Sequence, residues 1–455
     1  MTENKRHLAS SAVNGLLIVI FIFSAIQFGW LVFKFVREIL QIDFSIYYTA
    51  AQSLNAGLSP YINHINNKPP IWDGVDVFQH SIFLYPPLAA NLFQPLALLP
   101  YRFAKLVWTG GSFLLVILCL AIVSKSFSTH HSSHLLIIGI AVTLFFPLQI
   151  ELERGQIDAV ILLLLTYSVF LLSRGDFTKQ FLSGIFFSIS TLLKLHCIYL
   201  LPFLFLRKQW NVIVGYIFGG LTLIALGLLL PGGKVMTLDY INNVLPRVSK
   251  YGFEGTAEMM IDPEIIQKVK RNIPVGYTIK DGRAYLPSYF NNFEANATIV
   301  RPIINYLQGK GWNINQTLVS VFVFSAIIIL IFLWHKIFLN KVGISNQNDF
   351  IWWQIVFCVI LLSSPLTWVM NVVWLLPSVV IVVLKYNGLT NRNHVFSIWI
   401  VVLGLFLMAI PDTGSYSPLM HVIFTNKYIA GELLVLLGWL LFLAYENSFE
   451  PVIKE

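Results

Sequence analysis

Residues 43–61 read DFSIYYTAAQSLNAGLSPY and combine an acid, a helical pattern of apolar residues and a stop signal. The apolar residues recur at helical spacing and form one aromatic face: Phe44, Tyr47, Tyr48, Ala51 and Leu54. Gly57 and Pro60 end the pattern. The stretch predicts a short amphipathic helix in the membrane interface, with its aromatic face toward the lipid and Asp43 at the membrane boundary.

The whole chain has the composition of a membrane protein. It has 455 residues, of which 56% are hydrophobic and 11% are charged, whereas soluble domains carry about 25% charged residues. A dozen or so apolar segments are near the roughly 20 residues that cross a bilayer. We therefore expect one all-α polytopic domain over residues 1–455, with about 12 transmembrane helices and no large soluble domain.

The net charge of +8 comes from Lys and Arg residues scattered between apolar segments. This placement fits the positive-inside rule better than a nucleic-acid surface, so no nucleic-acid partner is expected. Lys5 and Arg6 precede the first span, residues 14–33, and place the N-terminus in the cytoplasm. The three cysteines lie in apolar runs without CxxC spacing, which excludes a zinc site or a disulfide framework.

Counting spans from this start gives two large extracytoplasmic loops, residues 34–103 and 231–316, and two cytoplasmic termini. In the first loop Pro86 favours an extended Tyr85, and the run that follows is interrupted by Pro95 and Pro100, which suits a second interfacial element. Residues 181–206 are too short for two ordinary spans, so we expect two short helices that meet near Lys194. The chain is therefore predicted to be a multi-pass protein of the inner (cell) membrane.

Asp43 is the first candidate for chemistry. An Asp ahead of a helical run is a common helix N-cap, but the same carboxylate could be a general base that takes a proton from an acceptor hydroxyl. Both roles are compatible only if one carboxylate oxygen faces a cavity. Glu38, Asp73 and Asp76 are competing bases in the same loop.

Two basic residues are candidates for holding a phosphate. Lys194 lies inside the apolar run STLLKLHCIYLLP, where it either snorkels or awaits an anion. Arg154 in ELERGQID either pairs with Glu151 or Glu153 or binds phosphate through its guanidinium.

Other polar and aromatic residues at the same membrane face are candidates for contacts with a sugar or an acceptor. Asp158 could equally begin a helix, and Trp368 could belong to the aromatic belt. The candidate contacts are Tyr47, Tyr48, Tyr85, Gln156, His196, Trp368 and Asn371.

The sequence lacks the motifs of several other classes of enzyme. The sequence has no phosphate-binding glycine loop, no HExxH, no paired CxxC, no nucleophile elbow and no DxD-type pair. We expect no metal and no cofactor.

Four stretches together resemble glycosyltransferase family 87. They are DFSIYYTAAQSLNAGLSPY, FLYPPLAANLFQPLALLP, RGQIDAVILLLL and LKLHCIYLLPFLFLRKQW, in family order within the first 210 residues. The resemblance implies a GT-C-type fold, a polyprenyl-phosphate sugar donor and inverting transfer on the extracytoplasmic side, as in the related mannosyltransferases. It also implies that Asp43 is the general base and that Lys194 suits the donor phosphate.

The C-terminal half departs from the family pattern. Four residues of the family pattern are present in the stretch SPLTWVMNVVWLLP: Ser364, Pro365, Trp368 and Trp374. Met370 and Asn371, however, stand where the family has paired histidines. A different sugar or acceptor is compatible with this change.

These observations predict a mannosyltransferase-like membrane enzyme that moves one hexose or pentose from polyprenyl phosphate to a lipid or glycan acceptor. In this hypothesis Asp43 is the base, and Lys194 and Arg154 hold the phosphate. The alternatives are a flippase or transporter of lipid-linked sugars, and a polysaccharide polymerase or ligase that uses diphosphate-linked donors.

Overall fold

The computed structural model describes the following residues: 3–37, 42–62, 64, 71–72, 75, 79–81, 83–127, 132–246, 257–261, 278–280, 283–286, 297–312, 316–338, 346–364, 367–386, 389, 391–411 and 426–448.

Helices make up most of this part of the chain. In chain order they are α1 (Glu3–Arg37), α2 (Ile42–Asn55), α3 (Pro87–Asn91), α4 (Gln94–Ala97), α5 (Tyr101–Lys125), α6 (Ser132–Leu144), α7 (Phe146–Arg154), α8 (Asp158–Leu172), α9 (Phe177–Leu193), α10 (Leu200–Leu206), α11 (Trp210–Leu229), α12 (Gly233–Asp239), α13 (Val300–Gly309), α14 (Gln316–Phe338), α15 (Asn346–Ser363), α16 (Pro377–Tyr386), α17 (Arg392–Ala409) and α18 (Lys427–Ser448). Two 3₁₀ helices cover Leu195–Tyr199 and Val369–Leu375, and one π-helix covers Tyr240–Val244.

Seven helices among the described residues are long and apolar enough to cross a membrane, or eight if the bent pair α6 and α7 counts as one span. Three shorter apolar helices accompany them: Asp158–Leu172, Leu195–Leu206 and Asn348–Ser363. The helices fit an integral membrane protein, which confirms the predicted helical membrane bundle. The predicted number of about 12 spans is not confirmed.

A small antiparallel sheet adds an element that the all-α prediction did not include. Its strands are β1 (Gln79–Ser81), β2 (Ala257–Ile261), β3 (Thr278–Lys280) and β4 (Arg283–Leu286), in the order β1-β2-β4-β3. Gln79 of β1 pairs with Ile261 of β2. Because β1 belongs to the first predicted loop and β2 to the second, the sheet joins these two loops.

Helix α2 forms where the pattern predicts it, but its aromatic face does not point to the lipid. Phe44, Tyr47 and Tyr48 are each at most 2% exposed. They pack on protein: Phe44 stacks on Tyr101 and Trp108 of α5, with ring centroids 5.8 and 6.0 Å away. The prediction of a lipid-facing surface was therefore wrong, because periodicity shows which face is apolar and not what covers it.

The span before the site is broken rather than straight. Helices α6 and α7 meet at an angle of 56°, and Pro147 stands in the first turn of α7, where a missing N–H costs nothing. The Gln149 side chain donates to the carbonyl of Thr143, 3.0 Å away, and so satisfies one group that the break frees. Residues 146–154 are thereby turned toward α2.

A second break lies at Lys194, as the sequence predicted. Helix α9 ends at Leu193, Lys194 is extended (φ −141°, ψ 108°), and a 3₁₀ turn follows. Helix α9 is fixed against α11 by two glycines: a Cβ on Gly184 or on Gly215 would lie 2.0 Å from a carbonyl of the other helix. Such close contact of small residues is typical of helix pairs in membranes.

Candidate functional site

The turn Gly155–Ile157 between α7 and α8 is the centre of the candidate site. Gly155 adopts a left-handed conformation (φ 66°, ψ 40°) that ends α7, which glycine does without steric cost. Its carbonyl accepts a hydrogen bond from the Trp108 indole, 2.9 Å away. The turn places Arg154 on one side and Asp158 on the other, so that only three residues separate the members of two ion pairs.

The first ion pair joins Arg154 to Asp43. Arg154 Nε donates to Asp43 Oδ2 over 2.8 Å, and the two side chains are 31% and 13% exposed. Asp43 lies in the first turn of α2, which begins at Ile42, and its carboxylate is directed to Arg154. Asp43 Oδ1 makes no hydrogen bond with any described residue. Arg154 thus pairs with the carboxylate on α2, a partner that neither of the two alternatives from the sequence had named.

Two tyrosines and Gln156 form their own hydrogen bonds near this ion pair, and we call the five residues the Asp43 network (Asp43, Tyr47, Tyr85, Arg154 and Gln156). The Tyr47 hydroxyl donates to Gln156 Oε1 over 3.0 Å and lies 2.9 Å from the Tyr85 hydroxyl. Burial raises the pKa of both tyrosine hydroxyls above their usual value, so both stay protonated at neutral pH. The network thus offers hydroxyl and amide groups beside the carboxylate.

The second group of contacts, the Asp158 network (Asp158, Lys194, Asn371 and Trp374), is buried. Lys194 Nζ donates to Asp158 Oδ2 over 2.5 Å. Asn371 Nδ2 and Trp374 Nε1 both donate to Asp158 Oδ1 over 2.9 Å. Asp158 is fully buried and is the first residue of α8, while its carboxylate reaches across to other helices. Lys194 therefore neither snorkels nor lacks a partner.

The remaining predicted contacts occupy different positions. The His196 ring lies 5.1 Å from the Trp374 ring, beside the Asp158 network. The backbone N–H of Trp368 donates to Asn371 Oδ1 over 2.7 Å. The Tyr48 hydroxyl donates to the carbonyl of Leu99 over 2.6 Å. The competing bases Glu38, Asp73 and Asp76 lie outside the described residues.

Sequence reasoning did not identify Asp158 as the partner of Lys194, or Trp374 as a hydrogen-bond donor to Asp158. The sequence GQID places an acid at the start of a helix, and this pattern favoured a helix-capping role for Asp158. In the structure Glu151 bonds to the start of this helix instead, because its Oε1 accepts a hydrogen bond from the backbone N–H of Ala159 over 2.9 Å. Within the described ranges, no group of three or more His, Cys, Asp and Glu side chains could hold a metal ion.

The comparison with protein families points to one class of enzyme. Residues 83–260 match the model of glycosyltransferase family 87, so the predicted resemblance is confirmed over this part of the chain. The match includes Tyr85, Arg154, Gln156 and Lys194, and it leaves out Asp43 and Asn371. No curated protein matches the chain.

Proposed function

We propose that this chain is a membrane glycosyltransferase that moves one mannose-like hexose or pentose from polyprenyl phosphate to a lipid or glycan acceptor. The observation that carries the proposal is a partly exposed carboxylate, Asp43, beside the turn Gly155–Ile157. The ion pairs of two cations, Arg154 and Lys194, lie at the two ends of this turn. The match of residues 83–260 to glycosyltransferase family 87 supports the same class of reaction.

In the proposed reaction Asp43 is the general base. Arg154 holds Oδ2 and so fixes the carboxylate, while Oδ1 takes the proton of the acceptor hydroxyl. The hydroxyl oxygen then forms a bond to the anomeric carbon as the bond from that carbon to the phosphate oxygen breaks. Attack opposite the leaving group inverts the anomeric centre.

The two cations stabilise the leaving polyprenyl phosphate. Arg154 donates from Nε to Asp43 Oδ2 and brings a permanent positive charge beside the proposed base. Lys194 uses one of three ammonium N–H bonds toward Asp158. Lys194 does not have to leave its carboxylate to contact a phosphate. Because phosphate is a good leaving group and cations already stand nearby, the proposal needs no metal.

The distribution of basic residues supports an extracytoplasmic site and cytoplasmic termini. The helices that begin or end at the site carry basic residues at or next to their other ends, at Lys125, Arg174, Lys179 and Arg207. Cytoplasmic ends of spans are enriched in Lys and Arg. We therefore place the basic ends in the cytoplasm and the two networks on the opposite side.

A comparison of donors tests the proposed function. Purified protein in lipid nanodiscs would receive polyprenyl-monophosphate sugars and the matching diphosphate-linked sugars, with membrane lipid extract as acceptor. Transfer from monophosphate donors alone is the expected result. Transfer from diphosphate donors alone would instead indicate a polymerase or ligase.

An apolar groove between α1, α5 and α6 is the proposed place for the donor lipid chain. Its volume is about 790 Å³, and it extends along α5 from Phe113 to Lys125. Phe113 lies five residues beyond Trp108, or about 7 Å along the helix, and Trp108 contacts the turn between the two networks. A chain whose phosphate is bound near this turn could therefore enter the groove.

Filling this groove should weaken the binding of long donors only. Gly29 lines the groove, and a Cβ there would meet nothing within 4 Å, so Gly29→Phe fills space without a backbone clash. We expect the KM for a long-chain donor to rise roughly fivefold, equivalent to about 1 kcal/mol of lost apolar contact. The KM for a short-chain donor should not change.

Gly110→Phe is the matched control, because Gly110 on α5 also has open space around its Cβ but does not line the groove. An equal rise in KM for both chain lengths, or in both variants, would contradict the placement of the lipid chain.

A further inference from the structure

Three interruptions of regular helix meet at the carboxylate of Asp158. One is the turn Gly155–Ile157, which Asp158 follows as the first residue of α8. The second is the break at Lys194, between α9 and its 3₁₀ continuation. The third is the 3₁₀ helix Val369–Leu375, which carries Asn371 and Trp374. Irregular backbone inside a membrane bundle is typical of sites that bind ions or substrates.

The Asp158 carboxylate fixes the direction of the Lys194 side chain. Lys194 is 9% exposed and Asp158 is fully buried, so an ammonium at this place depends on its counter-ion. The Lys194 backbone is fixed too, because its N–H donates to Ser190 over 2.8 Å and its carbonyl accepts the Cys197 N–H over 3.0 Å. The ammonium therefore has a defined position relative to the turn.

Asn371 and Trp374 hold the carboxylate from the C-terminal half of the chain. Both donate to Oδ1, which leaves Oδ2 for Lys194. Asn371 is itself fixed, because its Oδ1 accepts the Trp368 backbone N–H. These contacts bridge more than 200 residues of sequence and couple α8 to the 3₁₀ helix Val369–Leu375.

We propose that Asp158 is a positioning residue that aims Lys194 at the donor phosphate, and that Asn371 and Trp374 keep Asp158 in place for this purpose. The inference rests on the proposed function, because Lys194 acts there on the donor phosphate. Asp158 itself contacts no substrate. Asn371 is thus assigned to this network in place of the sugar contact suggested by its sequence position.

The test is a double-mutant cycle on Asp158→Asn and Lys194→Met, with separate KM values for donor and acceptor. Asp158→Asn should raise the donor KM at least about tenfold, the loss typical of one charge-assisted hydrogen bond. The acceptor KM should not change. In the Lys194→Met background, Asp158→Asn should add no further rise in donor KM, because residues that act through one contact are not additive.

Trp374→Phe is a second variant, which keeps an aromatic ring beside His196 but removes the N–H donor to Asp158 together with part of the buried indole ring. We expect a smaller rise in donor KM that also disappears in the Lys194→Met background. Asp176→Asn is the matched control, because Asp176 is an exposed helix cap at the other end of α9 and should leave both KM values unchanged.

Additive effects of Asp158→Asn and Lys194→Met, or an equal rise in donor and acceptor KM, would overturn the proposal. Binding of polyprenyl monophosphate without sugar to the same variants separates this result from a failure of the proposed function. One outcome would show that only the proposed function is wrong: the wild type binds this lipid, Asp158→Asn binds it more weakly, and no donor supports transfer. Unchanged binding by Asp158→Asn would overturn the positioning role.

Discussion

Asp43→Asn is expected to lower kcat by about 10²–10⁴-fold, the usual contribution of a general base. Asn has the shape of Asp and can still accept the hydrogen bond from Arg154, but it cannot take a proton from an acceptor hydroxyl. The KM for the donor should change much less, because the cations that bind its phosphate remain. The measurement is the initial rate of sugar transfer at saturating donor and equal folded yield.

Asp176→Asn again provides the control for this variant, since it makes the same chemical change at an exposed residue outside the two networks. Full activity in Asp43→Asn would identify Asp43 as a structural partner of Arg154. The base would then have to be found among Glu38, Asp73 and Asp76.

Lys194→Met is expected to reduce both activity and stability. Loss of the cation should lower kcat/KM for the donor by about 10²–10³-fold, as the removal of one preorganised donor to a developing charge does. Removing one partner of a buried ion pair also lowers the free energy of unfolding by about 3–5 kcal/mol, because the Asp158 carboxylate is left buried without its cation.

The double variant Lys194→Met with Asp158→Asn separates these two effects. With both charges gone, most of the lost stability should return, because no uncompensated charge stays buried. Sugar transfer should remain low, because the phosphate still lacks its cation. Melting temperatures in nanodiscs and transfer rates on the same samples measure both. Recovery of activity together with stability would show that Lys194 is only structural.

The parts of the fold that depend on local chemistry could be predicted from the sequence. The apolar segments indicated a helical membrane bundle, and a lysine inside an apolar run indicated the break at Lys194. The orientation of α2 could not be predicted in this way, because an apolar face is equally compatible with lipid and with aromatic side chains of α5. The sheet between the two loops was missed for a related reason, since its strands are only three to five residues long.

The candidate site was predicted as a set of residues and not as a set of contacts. Asp43, Arg154 and Lys194 were placed at one membrane face, and the structure brings them to one turn. Their partners lie far away in sequence: 111 residues separate Arg154 from Asp43, and 213 separate Asn371 from Asp158. Such pairings depend on how the helices pack, and a single sequence has no signal for that packing.

Sugar transfer by the purified wild-type protein tests the proposed glycosyltransferase activity. Radiolabelled polyprenyl-phosphate mannose, with a small panel of other hexose and pentose donors, would be incubated with membrane lipid acceptors in nanodiscs. We expect a labelled product from at least one donor, with inverted anomeric configuration, and a rate at least about 10²-fold lower for Asp43→Asn. No transfer from any donor, together with movement of lipid-linked sugar across proteoliposome membranes, would contradict the proposed transferase activity and indicate a transporter.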